Sequence, residues 1–152
     1  MSFDEIKQRI HRYCAYQERC HREVKNKLFE LGAPQEQADE LIAELITGGF
    51  LNEERFARAF AGGKFRMKRW GKLKIVRELE ARGLTANCIK AGISEIPDHD
   101  YEDTLEGLLR RKSEQVHASN PFVKKDKLAG YALQKGFEPD LIWSILKRQD
   151  FP

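Results

Sequence analysis

Apolar residues recur along this chain at helical spacing, and three stretches repeat one arrangement around a glycine: VKNKLFELG ending at Gly32, IVRELEARG ending at Gly83 and LAGYALQKG ending at Gly136. Eight residues before each glycine stand Val24, Ile75 and Leu128, and four before stand Leu28, Leu79 and Ala132. That i, i+4 spacing lines one face of a helix. Each glycine predicts the position just past a helix end, where a positive φ costs glycine little. Six residues beyond the glycines come Ala38, Ile89 and Ile142, and ten beyond come Ile42, Ile93 and Leu146. A second helix therefore follows each turn, and the unit recurs roughly every 50 residues.

A further helix precedes each pair. The first runs from Asp4 to about Gln17 with Ile6, Ile10, Tyr13 and Cys14 on one face; the second starts near Asn52 with Phe56, Ala59 and Phe60; the third starts near His99 or Asp100 with Leu105, Leu108 and Leu109. Ser2, Asn52 and Asp98 are placed to cap them. No segment alternates apolar and polar residues long enough to predict a strand. The expected fold is all-α: nine helices in three tandem three-helix repeats, residues 1–51, 52–98 and 99–152. Repeats of this size bury little surface alone, so neighbours should pack on one another in an elongated, curved body.

Hydrophobic content of 41% in 152 residues is enough to fold. The net charge is only +3, but it is unevenly spread. Residues 51–100 carry 11 basic against 7 acidic side chains, whereas residues 1–50 carry 7 against 9. The excess concentrates between Gly62 and Arg77, where Lys64, Arg66, Lys68, Arg69, Lys72, Lys74 and Arg77 occur with no acid until Glu78, interleaved with Phe65 and Trp70. On the helix that follows, Ile75 and Leu79 face the core, so Lys74 and Arg77 should face solvent. Such a run points to phosphate or an acidic protein groove, with Trp70 or Phe65 available to stack on an unpaired base. The plainer reading makes the two aromatics core and the lysines a solvated face, with Lys74 pairing to Glu78. The candidate surface is Lys64, Arg66, Lys68, Arg69, Trp70, Lys72, Lys74 and Arg77. Gly62 and Gly63 interrupt the helix that leads into it; close packing against another helix, or a hinge, would explain them.

Other chemistry is poorly supported. The helices after the turns, QEQADELIAEL and DLIWSILKRQ, are acidic or mostly apolar, which argues against a helix reading the major groove. Cys14 belongs to the apolar stripe, and Cys20 with Glu23 fits a capping box, so His11, Cys14, Cys20 and His21 are not read as a metal site. Three cysteines without a C-x-x-C motif suggest a reducing compartment. No nucleophile, phosphate loop or carboxylate pair has a catalytic signature, and neither a cofactor nor a membrane span is expected. A monomeric, cytoplasmic, non-enzymatic protein is the reading.

The run GGFLNEERFARAF, Gly48 to Phe60, followed by KFRMKRWGKLKIVRELEARGL, Lys64 to Leu84, resembles the RecX family of bacterial recombinase regulators, and KLAGYALQKGFEPDLI, Lys127 to Ile142, extends the likeness over nearly the whole chain. The resemblance implies three tandem three-helix repeats. It also implies binding to the RecA recombinase filament on single-stranded DNA, in its helical groove, with modulation, mostly inhibition, of the ATPase, strand-exchange and coprotease activities. The setting so implied is homologous recombination, DNA repair and the SOS response. A DNA-binding helical protein acting without recombinase, or a helical adaptor for another protein, are the alternatives.

Overall fold

The computed structural model describes residues 1–149 and 151, and among these residues there are nine helices and no strand. They are α1 (Phe3–Tyr16), α2 (His21–Glu30), α3 (Gln35–Thr47), α4 (Glu53–Lys68), α5 (Lys72–Ala81), α6 (Ala86–Ile93), α7 (Asp98–Gln115), α8 (Pro121–Lys135) and α9 (Pro139–Arg148). The fold is all-α and built from three-helix domains, as the periodicity predicts.

The three marker glycines end their helices as expected. Gly32, Gly83 and Gly136 have φ of 83°, 79° and 99°, and the next amide in each case donates to the carbonyl five residues back: Ala33 to Leu28, Leu84 to Leu79, Phe137 to Ala132. This six-to-one bond satisfies a carbonyl that a helix end would otherwise leave without a partner. At the helix starts, the Ser2 hydroxyl accepts from the Glu5 amide and the Asn52 side chain from the Arg55 amide. Glu23 accepts from the Cys20 amide at 3.0 Å while the Cys20 side chain accepts from the Glu23 amide, so the expected capping box is formed. Asp98 departs from expectation. It is the first residue of α7, not its cap; Pro97 holds the cap position in extended conformation.

Two compact units divide the chain, one of residues 1–60 and 79–92, the other of residues 61–78 and 93–152. In the first, α1, α2 and α3 close around Ile6, Ile10, Val24, Leu28, Leu41 and Leu45. Leu41 and Leu45 are fully buried and Ile42 only half-buried, so the stripe after Gly32 is centred one residue earlier than the expected Ile42. On α4, Ala59 is exposed, while Phe56 and Ala57 are buried. In the second unit Ile75, Leu105, Leu109, Leu128 and Ile142 are fully buried. Phe65, Tyr101 and Phe137 pack successively there as tilted ring pairs, with ring centres 5.9 and 5.0 Å apart.

Candidate nucleic-acid and partner interface

The basic run lies wholly in the second unit, across the end of α4 and the start of α5. What fixes its position is the docking of α5 on the end of α8. The Gly71 amide donates to the Lys135 carbonyl at 2.8 Å, the Leu73 amide to the Gly136 carbonyl at 2.9 Å, and the Lys72 amide to the Tyr101 hydroxyl at 2.9 Å. Amides at a helix start and carbonyls at a helix end both lack partners within their own helices, and here they satisfy each other. The positive end of the α5 dipole thus meets the negative end of the α8 dipole, which adds to the attraction.

Such an approach requires glycine on both sides. A Cβ at Gly71 would lie 2.2 Å from the Gly136 carbonyl carbon, and a Cβ at Gly136 would lie 2.3 Å from the Lys74 Cβ. Tyr101, 2% exposed, donates its hydroxyl hydrogen to Glu138 while accepting from Lys72. Burial first, and then the Glu138 hydrogen bond, push its pKa well above the ordinary phenol value, so it stays protonated.

Around this joint the predicted residues separate into three groups. Phe65 is 7% exposed and belongs to the core, so it cannot stack on a base. Its burial was visible in the spacing: Ala57, Ala61 and Phe65 form an i, i+4, i+8 stripe whose small members hide it. Lys72 is engaged, with its ammonium 4.5 Å from the Tyr101 ring centre and 3.5 Å from Asp98 Oδ1. Lys64 and Lys74 both approach the Trp70 ring, their ammonium groups 5.0 and 4.6 Å from the ring centre. Trp70 and both lysines are half-buried, so Lys74 faces solvent only in part.

Arg66, Lys68, Arg69 and Arg77 are exposed. Arg69 adopts φ of 54°, a conformation that costs a non-glycine residue roughly 1–2 kcal/mol. No acid stands in the first turn of α5, where cations oppose the dipole. The sequence thus accepts two local costs to keep this segment basic.

Lys135 joins the cluster from α8. Its ammonium donates to the Lys68 carbonyl at 2.8 Å and closes the end of α4. Burial first, and then the nearby charges of Lys74, Arg69 and Lys68, lower its pKa. A contact spanning this much chain leaves no mark in local periodicity, which is why Lys135 escapes the sequence reading.

The glycine pair does not break α4, which runs unbroken from Glu53 to Lys68. A Cβ at Gly63 would meet nothing within 4 Å, and one at Gly62 would meet the Arg66 guanidinium of its own helix. Close packing against another helix therefore does not explain them.

Elsewhere, Cys14 and Cys20 are buried, and burial pushes both thiols up, which disfavours the thiolate a metal would need. Among the described residues no group of three or more His, Cys, Asp or Glu side chains could hold a metal ion, and no helix is long and apolar enough to cross a membrane.

Comparison with known proteins identifies the arrangement. Residues 52–93 match the model of the RecX second three-helix domain, and residues 100–146 that of the RecX third three-helix domain, together more than half of the chain. The chain belongs to the RecX family. Its RecX relatives include the regulatory protein RecX of Streptomyces lividans, 22% identical over 130 residues, which cover 86% of this chain and 69% of that protein. The regulatory protein RecX of Lactobacillus gasseri is 27% identical over 141 residues, 91% of this chain but only 51% of that protein. Several relatives are thus about twice the length that this chain spans. The crystal structure of RecX from Lactobacillus salivarius shares the fold, with a TM-score of 0.86 at 21% identity over 96% of this chain and 95% of that one. A further crystal structure of regulatory protein RecX also gives 0.86, at 16% identity, covering 97% of this chain and 73% of that one.

Proposed function

We propose that this chain is a regulatory protein that binds the RecA recombinase filament on single-stranded DNA and modulates, mostly inhibits, its ATPase, strand-exchange and coprotease activities. Residues 1–51, 52–98 and 99–152 are its three repeats, and it acts in the cytoplasm as a monomer without catalysis of its own. Family membership supports the regulatory role. The observation that carries the choice of surface is the cation cluster around Trp70, held in place by docking against Lys135 and Gly136.

Arg66, Lys68, Arg69 and Arg77 supply the reachable charge, with Lys135 behind them. Lysine and arginine of this kind displace counterions from phosphate without reading sequence. Trp70, half-buried beside these cations, offers the exposed part of its ring to an unpaired base. Lys72 is part of the surface whose charge is already shared with Asp98.

The test is the DNA-dependent ATPase rate of the cognate recombinase on single-stranded DNA, with this protein added well below one copy per recombinase subunit. Strong inhibition at that ratio is expected, since competition for DNA alone needs far more protein. No inhibition near equimolar protein would sink the reading. The same cation cluster favours one second reading, a DNA-binding protein that needs no recombinase. It predicts tight binding to naked DNA with a steep salt slope.

A further inference from the structure

The first unit carries a second concentration of positive charge, unrelated to the run at α4 and α5. Its first 50 residues are net acidic, with 7 basic and 9 acidic side chains, yet four of the seven cations line one hollow. That hollow has a volume of about 650 Å³ and is formed by Arg9, Arg12, Tyr13, Tyr16, Arg19 and Lys27 together with Ala15 and Leu31. No carboxylate is among its lining residues. Glu18, Glu23 and Glu30 are close enough to act on Tyr13 or Cys14, Glu30 lies 3.6 Å from the Lys27 ammonium, and Glu5 stands one turn before Arg9 on α1.

The side chains are arranged for more than solvation. Arg9, Arg12 and Tyr16 follow one another at i, i+3 and i+7 along α1, so they share a face. Tyr16 is 82% exposed. Arg19 is held in advance: its Nε donates to the Tyr13 carbonyl at 2.9 Å, and its guanidinium carbon lies 3.7 Å from the Tyr13 ring centre and 5.9 Å from that of Tyr16. An ordered guanidinium beside an open aromatic ring, flanked by two exposed arginines, fits a planar base with phosphates on either side. The volume falls within the range of small-ligand sites, roughly 300–1,000 Å³.

We infer that this hollow on α1 and α2 is a second binding surface and that it takes a short segment of single-stranded nucleic acid, its phosphates on Arg9 and Arg12 and a base on Tyr16. An acidic protein segment would use the same cations but would gain little from the open ring. The inference goes beyond the recombinase reading and does not need it, since the test contains no recombinase.

The test is binding of short fluorescein-labelled oligo(dT) to the full chain across a salt series. Replacing both arginines, Arg9→Ala with Arg12→Ala, should reduce the slope of log affinity against log salt by about 1.4, or about 0.7 per phosphate. Tyr16→Ala should weaken binding about 5- to 100-fold with the slope unchanged, and Tyr16→Phe should restore it. In the wild-type chain, a 4-thiothymidine oligonucleotide should photo-crosslink to α1, which locates the site even if a variant fails to fold. Absence of crosslinks to α1, or affinity and slope unaffected by the folded variants, overturns the inference. Equal competition by polyglutamate per charge, with Tyr16→Ala silent, would overturn it in favour of an acidic protein partner.

Discussion

The turns at Gly32 and Gly136 have the same sequence signature and nearly the same backbone. Both glycines have positive φ, and both turns close with a six-to-one amide bond, of 3.0 and 3.2 Å. Their surroundings differ. A Cβ on Gly32 would meet nothing within 4 Å, whereas one on Gly136 would strike the backbone and Cβ of Lys74. One glycine is needed only for its own conformation. The other is also the seat on which α5 and its basic run are mounted. A repeat pattern therefore identifies equivalent turns while leaving open which of them has been recruited to hold a surface.

Breaking the crowded turn should have the largest effect. Gly136→Ala combines the left-handed conformational cost with overpacking against Lys74, so a loss of about 3 kcal/mol or more is expected from urea unfolding. A loss no greater than that of Gly32→Ala would remove the distinction between the turns. Next comes Tyr101→Phe, which deletes the hydroxyl shared by Lys72 and Glu138 and should cost about 1–3 kcal/mol. An unchanged melting curve would show that the joint does not depend on this hydrogen-bond pair.

Gly32→Ala has space for its methyl group and should lose about 1–2 kcal/mol, the conformational cost alone. Gly63→Ala lies inside a continuous helix with nothing nearby and should gain about 0.5–1 kcal/mol. If that gain came with loss of filament binding, a hinge at the glycine pair would be the better account of those residues.

The local parts of this structure were readable in the sequence because their causes are local. Val24, Leu28, Ile75, Leu79, Leu128 and Ala132 announce helix faces, and a glycine at each helix end announces a left-handed turn. Ile42 was off by one because a helical stripe is wide enough for i+3 and i+4 neighbours to compete, and Leu41 and Leu45 won. The basic run was legible as charge, but its internal sorting was not. Which cations are engaged depends on Asp98, Tyr101 and Lys135, side chains brought in by α7 and α8. Phe65 was ambiguous because an aromatic beside lysines fits a stacking platform or a core equally well. The stripe with Ala57 and Ala61 favours the core, and packing on Tyr101 confirms it.

The central claim is that the exposed cations beside Trp70 form the contact surface. Its most direct test is filament binding by the folded variant with Arg66→Glu, Lys68→Glu and Arg77→Glu, measured across a salt series beside the wild type. These positions avoid the engaged Lys72 and leave the α5–α8 joint intact. The account predicts markedly weaker binding and a shallower salt dependence. Affinity and salt dependence equal to those of the wild type would contradict it.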